Sequence, residues 1–172
     1  MRPLSELEDF MPTQISAVVI TCSDACSVGE REDTSGETLI QLLTELGAAI
    51  VAKEIVNDDL DSLAGKLRAY SDRPEVNLII TTGGTGFGPR DNTPEATRAI
   101  IEREAPGVAE AIRRETSAKT PMAMLSRGVC GIRGDTLIIN LPGSPKGVEE
   151  CFEVIRPALK HAVELIAGKT GH

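Results

Sequence analysis

A single α/β domain, with a mostly parallel sheet and helices on both of its faces, is what the amino-acid sequence predicts, and three observations carry that prediction. Short runs of β-branched, apolar residues alternate along the chain with longer stretches whose apolar residues recur at helical spacing. One run, Val76-Asn77-Leu78-Ile79-Ile80, is apolar almost throughout, as a strand covered on both faces must be. It leads into the glycine-rich stretch Thr81-Thr82-Gly83-Gly84-Thr85-Gly86-Phe87-Gly88-Pro89-Arg90-Asp91-Asn92-Thr93-Pro94 and then a helix start. Open α/β sheets hold ligands on loops of this kind, at the carboxyl ends of their strands.

Taken in order, residues 1–14 carry mixed charge and no apolar period, which predicts a flexible N-terminal arm ahead of one domain over 15–168. Ile15 to Thr21 is the first strand. The polar, aperiodic stretch from Cys22 to Asp33 is then a long loop at that strand's carboxyl end. Thr34 with Glu37 spells a capping box, which Asp33 either assists or leaves in order to contact a ligand. Leu39, Leu42, Leu43 and Leu46 form the inner stripe of the helix that follows, ended by Gly47. Ile50 to Val56 is the next strand, and Asn57-Asp58-Asp59 opens a helix with Leu60, Leu63, Ala64 and Leu67 at helical spacing. Asp58 and Asp59 both stand where aspartate caps a helix.

After the glycine loop, Thr93 is the expected N-cap, Pro94 suits the first helical position, and Glu95 sits on the positive end of the helix dipole. Ala96, Ala99 and Ile100 are expected to face inward until Ala105-Pro106-Gly107 breaks the helix, which restarts over Val108 to Ser117. Val129 to Arg133 and Thr136 to Leu141, divided by Gly134-Asp135, form a hairpin. The last helix buries Val148, Phe152, Ile155, Leu159, Val163 and Ile166, with a kink or a division into two helices expected near Arg156 because Pro157 lacks an N–H.

Composition narrows the function. With 172 residues and 41% apolar content the chain buries one substantial core, and with no Trp and only 2% aromatics that core is aliphatic. A net charge of −8 and the lack of aromatic platforms argue against a nucleic-acid partner. The 4 cysteines show no C-x-x-C pair and only 2 histidines accompany them, so they are expected to be reduced, buried thiols rather than zinc ligands. No signal-like region and no run of 18 apolar residues appears, so the expected location is cytoplasmic, away from membranes.

Gly83, Gly84, Gly86 and Gly88 let the backbone turn tightly and bare its N–H groups, as a phosphate-binding loop requires. The alternative is a tight turn without a ligand. The stretch lacks the Gly-Lys-Ser/Thr ending of a P-loop and the spacing of a dinucleotide fingerprint. Asp91 would repel a phosphate unless a hard cation with oxygen ligands, most simply Mg²⁺, lay between them. In Leu125-Ser126-Arg127-Gly128 a hydroxyl and a guanidinium either hold a terminal phosphate or form a surface turn. Lys146 is either a solvated charge or a point charge for a phosphate oxygen.

Thr82-Gly83-Gly84-Thr85-Gly86, followed by Arg90-Asp91 and Thr93-Pro94-Glu95-Ala96-Thr97, resembles the signature of the molybdenum-cofactor biosynthesis family that includes molybdopterin adenylyltransferases, the MoaB proteins and the G domain of gephyrin. Leu125-Ser126-Arg127-Gly128 and Leu137-Ile138-Ile139-Asn140-Leu141-Pro142-Gly143-Ser144-Pro145-Lys146-Gly147 resemble its later motifs, so the likeness runs from about residue 15 to 167. It implies a three-layer α/β/α fold of the molybdopterin-binding type, commonly a homotrimer. It also implies transfer of AMP from Mg·ATP to the terminal phosphate of molybdopterin, and handover of the product to a molybdate-inserting enzyme. By the same likeness Ser23, Asp24, Ser35 and Gly36 line the site, and an essential aspartate falls on Asp58, with Asp59 as the adjacent alternative. Asp58 and Asp91 would hold Mg²⁺; Thr82, Gly83, Gly84, Thr85 and Gly86 would meet phosphate; Ser126, Arg127, Pro142, Gly143, Ser144 and Lys146 would cradle the pterin. Two rival functions share the likeness, a non-catalytic MoaB-like pterin-binding protein and a nucleotide pyrophosphatase like the related domain of CinA proteins.

Overall fold

A computed structural model describes residues 13–169. In chain order it contains β1 (Ser16–Cys22), a short α1 (Asp24–Ser27), α2 (Thr34–Glu45), β2 (Ala49–Val56), α3 (Leu60–Ser71), β3 (Leu78–Thr82) and α4 (Thr93–Arg98). There follow β4 (Arg103–Glu104), α5 (Pro106–Ser117), a 3₁₀ turn (Pro121–Leu125), β5 (Cys130–Arg133), β6 (Thr136–Leu141) and α6 (Pro145–Ile166). One sheet runs β2-β1-β3-β6-β5-β4, parallel from β2 to β6 and antiparallel at the β5 and β4 edge.

The period of two along buried strands divides the core into two layers. Ala17 and Val19 of β1, Leu78 and Ile80 of β3, and Leu137 and Ile139 of β6 point to the face covered by Leu39 and Leu43 of α2, Ile112 of α5 and Phe152, Ile155 and Leu159 of α6. Val18, Ile20, Ile79 and Ile138 point the other way, against Leu63 and Leu67 of α3 and Ala96 and Ile100 of α4. The chain therefore has the expected α/β/α layering. Because β1 leads to a helix on one face and β3 to a helix on the other, a crevice opens between their carboxyl ends, where such sheets bind ligands.

Local expectations fail at several positions, each for a stated physical reason. The cap of α2 is Asp33, whose carboxylate accepts from Gly36 N–H, so Thr34 is the first helical residue; Glu37 pairs with Lys53 instead of closing a capping box. Asn92 precedes α4, and the Thr93 hydroxyl donates to the Gly83 carbonyl at 2.9 Å rather than capping the helix. Ala99 is exposed because α4 has ended at Arg98; Thr97 takes the inward position, its hydroxyl donating to Thr93 O and accepting from Asn140. α6 runs unbroken through Pro157 for 22 residues. Val148 and Phe152 before the proline and Leu159 and Val163 after it belong to one buried stripe, and that packing outweighs one missing hydrogen bond. β4, α1 and the 3₁₀ turn carry no periodic signal and were not anticipated. The arm expected over 1–14 lies outside the described residues except for Thr13 and Gln14, whose carbonyl accepts from Asn77 Nδ2 at 2.8 Å.

The four cysteines are unpaired and buried, as expected. Burial pushes the Cys22 thiol up to about 12, so it is a neutral packing group beneath the crevice. Among the described residues no helix is long and apolar enough to cross a membrane.

Asn140 of β6 joins the sheet to the loops above it. Buried to 4% exposure, it donates to Thr81 Oγ1 at 3.0 Å and Thr97 Oγ1 at 2.9 Å and accepts from Val129 N–H at 3.1 Å. Asn140→Ala would strand these partners in the core and should lower unfolding stability by about 2–4 kcal/mol. A denaturant midpoint equal to wild type would show that the network contributes little.

Candidate active site

The crevice is built where three strand ends meet. Gly83 follows β3 with φ of +97°, and a Cβ there would lie 2.3 Å from the Cys22 carbonyl oxygen at the end of β1. Only glycine fits. Its N–H donates to Leu141 O of β6 at 3.1 Å, while the Thr82 hydroxyl donates to Pro142 O at 2.7 Å. These bonds bring the loops after β1, β3 and β6 together. Gly84, with φ of +63°, turns beneath Thr93 and Asp58, and a Cβ there would sit 2.4 Å from Thr93 Oγ1.

The structure gives the paired aspartates after β2 different hydrogen-bonding tasks. Asp59 caps α3 by accepting from Ser62 N–H at 2.9 Å, which leaves Asp58 free of that task. Asp58 Oδ2 accepts from Asp24 N–H at 2.9 Å, and Asp58 N–H donates to Asp24 Oδ1 at 3.0 Å, a reciprocal pair that locks the end of β2 to the loop after β1. Asn92 Nδ2 donates to the Asp58 carbonyl. The remaining oxygen, Asp58 Oδ1, is buried without a hydrogen-bond partner and faces Gly84. Burial, reinforced by the charges of Asp24 and Asp91, raises the Asp58 carboxyl above its ordinary range, although the Asp24 N–H and Arg90 oppose the shift. Asp24 behaves oppositely. The Arg90 guanidinium, bidentate on its carboxylate at 2.9 and 3.0 Å, holds it below the ordinary range.

Asp91 closes the glycine loop on itself, its Oδ2 accepting from Gly88 N–H at 2.9 Å. Gly86 and Gly88 leave room for that carboxylate, since a Cβ at either would approach Asp91 Oδ2 to 2.9 or 3.0 Å. Two cavities open on either side. One of about 530 Å³ is walled by Phe87, Ile112, Met122 and Leu125 and includes Thr85, Gly86, Ser126 and Pro142. The other, of about 470 Å³, is more polar and includes Ser23, Ser35, Asp58, Thr82 and Gly83. Gly84, Asp91, Gly143 and Ser144 line both.

Most of the anticipated residues therefore converge, and four do not reach the cavities in the anticipated way. Gly36 lies packed behind Asp33, where a Cβ would be 2.3 Å from its Oδ2, and lines neither cavity. The Asp24 carboxylate is engaged by Arg90 and Asp58. Lys146 extends into solvent, its side chain 84% exposed and 4.0 Å from Glu150. Arg127, expected on a phosphate, turns its guanidinium to Gly86 O, Asp91 O and Glu95, because these acceptors surround it. Asp33, one candidate for a ligand contact, is taken up by Thr21, Gly36 and Lys53. Sequence reasoning missed Phe87, 70% exposed at the mouth of the larger cavity, although one of only 3 phenylalanines standing in a glycine loop was a legible signal. It also missed Arg113 and the 3₁₀ turn, for which no local pattern exists.

An α/β domain whose glycine loop and carboxylates sit between two cavities at a topological switch point has the layout of a ligand-binding protein. Residues 18–161 match the family described as "Probable molybdopterin binding domain", and the chain belongs to that molybdenum-cofactor biosynthesis family. It is similar to the molybdenum cofactor synthesis protein cinnamon of Drosophila melanogaster, 51% identical over 149 residues, which covers 86% of this chain and 25% of that protein. The chain thus spans about a quarter of that relative. It is 41% identical over 152 residues to a molybdopterin adenylyltransferase of Helicobacter pylori strain J99, covering 87% of this chain and 86% of the other. The crystal structure of the molybdopterin biosynthesis enzyme MoaB from Thermus thermophilus superposes with a TM-score of 0.85 at 46% identity, covering 90% of this chain and 98% of that one.

The raised Asp58 carboxyl has a consequence for stability. A folded-state pKa above the unfolded one means that ionising Asp58 is harder in the fold, so this group subtracts stability as pH rises through the carboxylate range. Asp58→Asn should therefore match wild type in melting temperature at low pH and equal or exceed it near neutrality. Thermal melts of both proteins across that range test the sign, and an Asn variant that is the less stable at neutral pH would overturn it.

Proposed function

We propose that this protein transfers AMP from ATP to the terminal phosphate of molybdopterin, releasing pyrophosphate and forming adenylyl-molybdopterin. The observation that carries this reading is the pair of cavities sharing a wall of Gly84, Asp91, Gly143 and Ser144, since two substrates bound in them would meet at that wall. The larger, more apolar cavity suits the pterin, with Ser126 and Ser144 as polar contacts. The polar one suits the nucleotide, with Ser23 and Ser35 toward it and the Gly83 to Gly86 amides toward its phosphates.

The attacking group is an oxygen of a phosphate monoester, whose second pKa near ~6 leaves it largely ionised at neutral pH, so no strong general base is needed. It bonds to the α-phosphorus of ATP while the bond from that phosphorus to pyrophosphate breaks. The protein's task is to align the two phosphates and offset their charge. Asp58 and Asp91 fit a hard divalent cation, because Asp58 Oδ1 is buried without a partner and a carboxylate beside a phosphate loop needs a cation between them. Among the described residues no group of three or more His, Cys, Asp and Glu could hold a metal ion. Mg²⁺ held by Asp58 and Asp91 would neutralise charge developing on the phosphates.

The same reading makes the protein cytoplasmic, makes a molybdate-inserting enzyme the recipient of its product, and makes the assembly a homotrimer. Favouring self-association is an open apolar groove of about 180 Å³ between α5 and α6, walled by Val108, Ala111, Val154 and Ala162. Incubation with ATP, Mg²⁺ and molybdopterin should yield adenylyl-molybdopterin and pyrophosphate in equal amounts. Wild-type protein that binds the pterin but never adenylylates it would replace this reading with that of a binding protein. Asp91→Asn, which keeps shape and removes charge, should fold normally and lose ~10²-fold or more in rate. Wild-type turnover by Asp91→Asn at ordinary Mg²⁺ would remove Asp91 from the mechanism.

A further inference from the structure

We infer that Arg127 is a positioning residue, which braces the loop from Thr85 to Asp91 and thereby aims the Asp91 carboxylate at the seam between the two cavities. The inference rests on the role proposed above for Asp91. Its basis is the set of acceptors that Arg127 reaches. Its backbone N–H donates to Thr85 O at 2.7 Å, Nε donates to Gly86 O at 2.7 Å, and Nη2 donates to Asp91 O at 2.7 Å. Nη1 is paired with Glu95 in the first turn of α4. One side chain thus ties both ends of the loop to the helix beyond it.

Apart from the Arg90 pair with Asp24 near its far end, the loop is held mainly by its own short bonds. Between Thr85 and Asp91 the internal bonds are Asp91 N–H to Gly88 O at 3.0 Å and Gly88 N–H to Asp91 Oδ2 at 2.9 Å. Gly86 and Gly88 give the unfolded loop much freedom to lose, and Phe87 projects into solvent rather than anchoring it. Charge-assisted donors on two carbonyls supply the missing restraint. The brace itself is held from behind, because Arg113 Nη1 donates to Gly128 O at 2.8 Å and Ser126 O at 3.4 Å, on either side of Arg127. Geometry explains the residue type as well. Three acceptors in different directions need a planar fork, which lysine lacks.

Two substitutions separate a brace from a phosphate ligand. Arg127→Lys keeps a positive charge that would still serve a phosphate, but loses the fork. Glu95→Gln touches neither cavity yet releases one arm of the guanidinium. Amide hydrogen exchange over residues 85–92, molybdopterin binding by calorimetry, and AMP transfer would be measured on wild type and both variants. A brace predicts exchange faster by about tenfold or more over 85–92 in both variants. It also predicts transfer slowed ~10–100-fold and an unchanged Kd for molybdopterin. Exchange like wild type in Arg127→Lys, or weakened molybdopterin binding in that variant but not in Glu95→Gln, would overturn the inference. Should the wild type transfer no AMP, the adenylyltransfer reading falls, and the exchange and binding measurements still decide the role of Arg127.

Discussion

Gly83 is gripped from three directions, and the rest of the site depends on that grip. Its N–H is given to Leu141 of β6, its carbonyl accepts the Thr93 hydroxyl of α4, and its α-carbon lies against the end of β1, where even a methyl group would strike the Cys22 carbonyl. A fourth neighbour, Gly143, comes so close that its own Cβ would be 3.1 Å from the Gly83 α-carbon. Two glycines facing each other let the loops after β3 and β6 touch. That contact forms the wall shared by the two cavities and brings Asp58 and Asp91 to the same crevice.

The electrostatics of the crevice oppose the stability of the fold. Asp24, Asp58 and Asp91 approach one another in a chain whose net charge is already −8. Arg90 neutralises Asp24 but only weakly offsets Asp58, which keeps one buried oxygen without a donor. Leaving such an oxygen unmatched is costly in a finished fold, and binding sites are where that cost is tolerated. The reciprocal bonds between Asp24 and Asp58 show how the chain maintains the arrangement. Each backbone N–H serves the other's carboxylate, so both strand ends must be in register before either charge is accommodated.

Legibility followed the range of the interactions. Strands β1, β2, β3 and β6 and helices α2, α3 and α6 were visible because apolar spacing within a dozen residues reports burial directly. The glycine loop was visible because no other composition permits its turns. Caps were less so: whether Asp33 or Thr34, Asp58 or Asp59, Asn92 or Thr93 ends a loop depends on what else each side chain can reach. The Thr93 hydroxyl turns from the helix end to a carbonyl ten residues back in the chain, and Asp58 is released because its neighbour caps instead. Ala99 and Pro157 depart from the local pattern for a related reason. One helix stopped a residue short, and the other was carried across its proline by packing on the sheet.

Local residue chemistry was enough to establish an aliphatic α/β domain with a glycine-rich strand-loop-helix turn, since each follows from composition or from spacing along a few turns. The fate of Arg127 could not be found that way. Beside Ser126 it has the chemistry of a phosphate ligand, and only the folded chain brings Gly86, Asp91 and Glu95, 32 to 41 positions away, within reach of its nitrogens. The same holds for the two cavities, whose common wall joins residues that follow β3 to residues that follow β6. Hydrogen bonds and close packing act over about 3–4 Å in space and take no account of separation along the chain. Which donor meets which acceptor is therefore a property of the sheet order β2-β1-β3-β6, and no local pattern encodes that order.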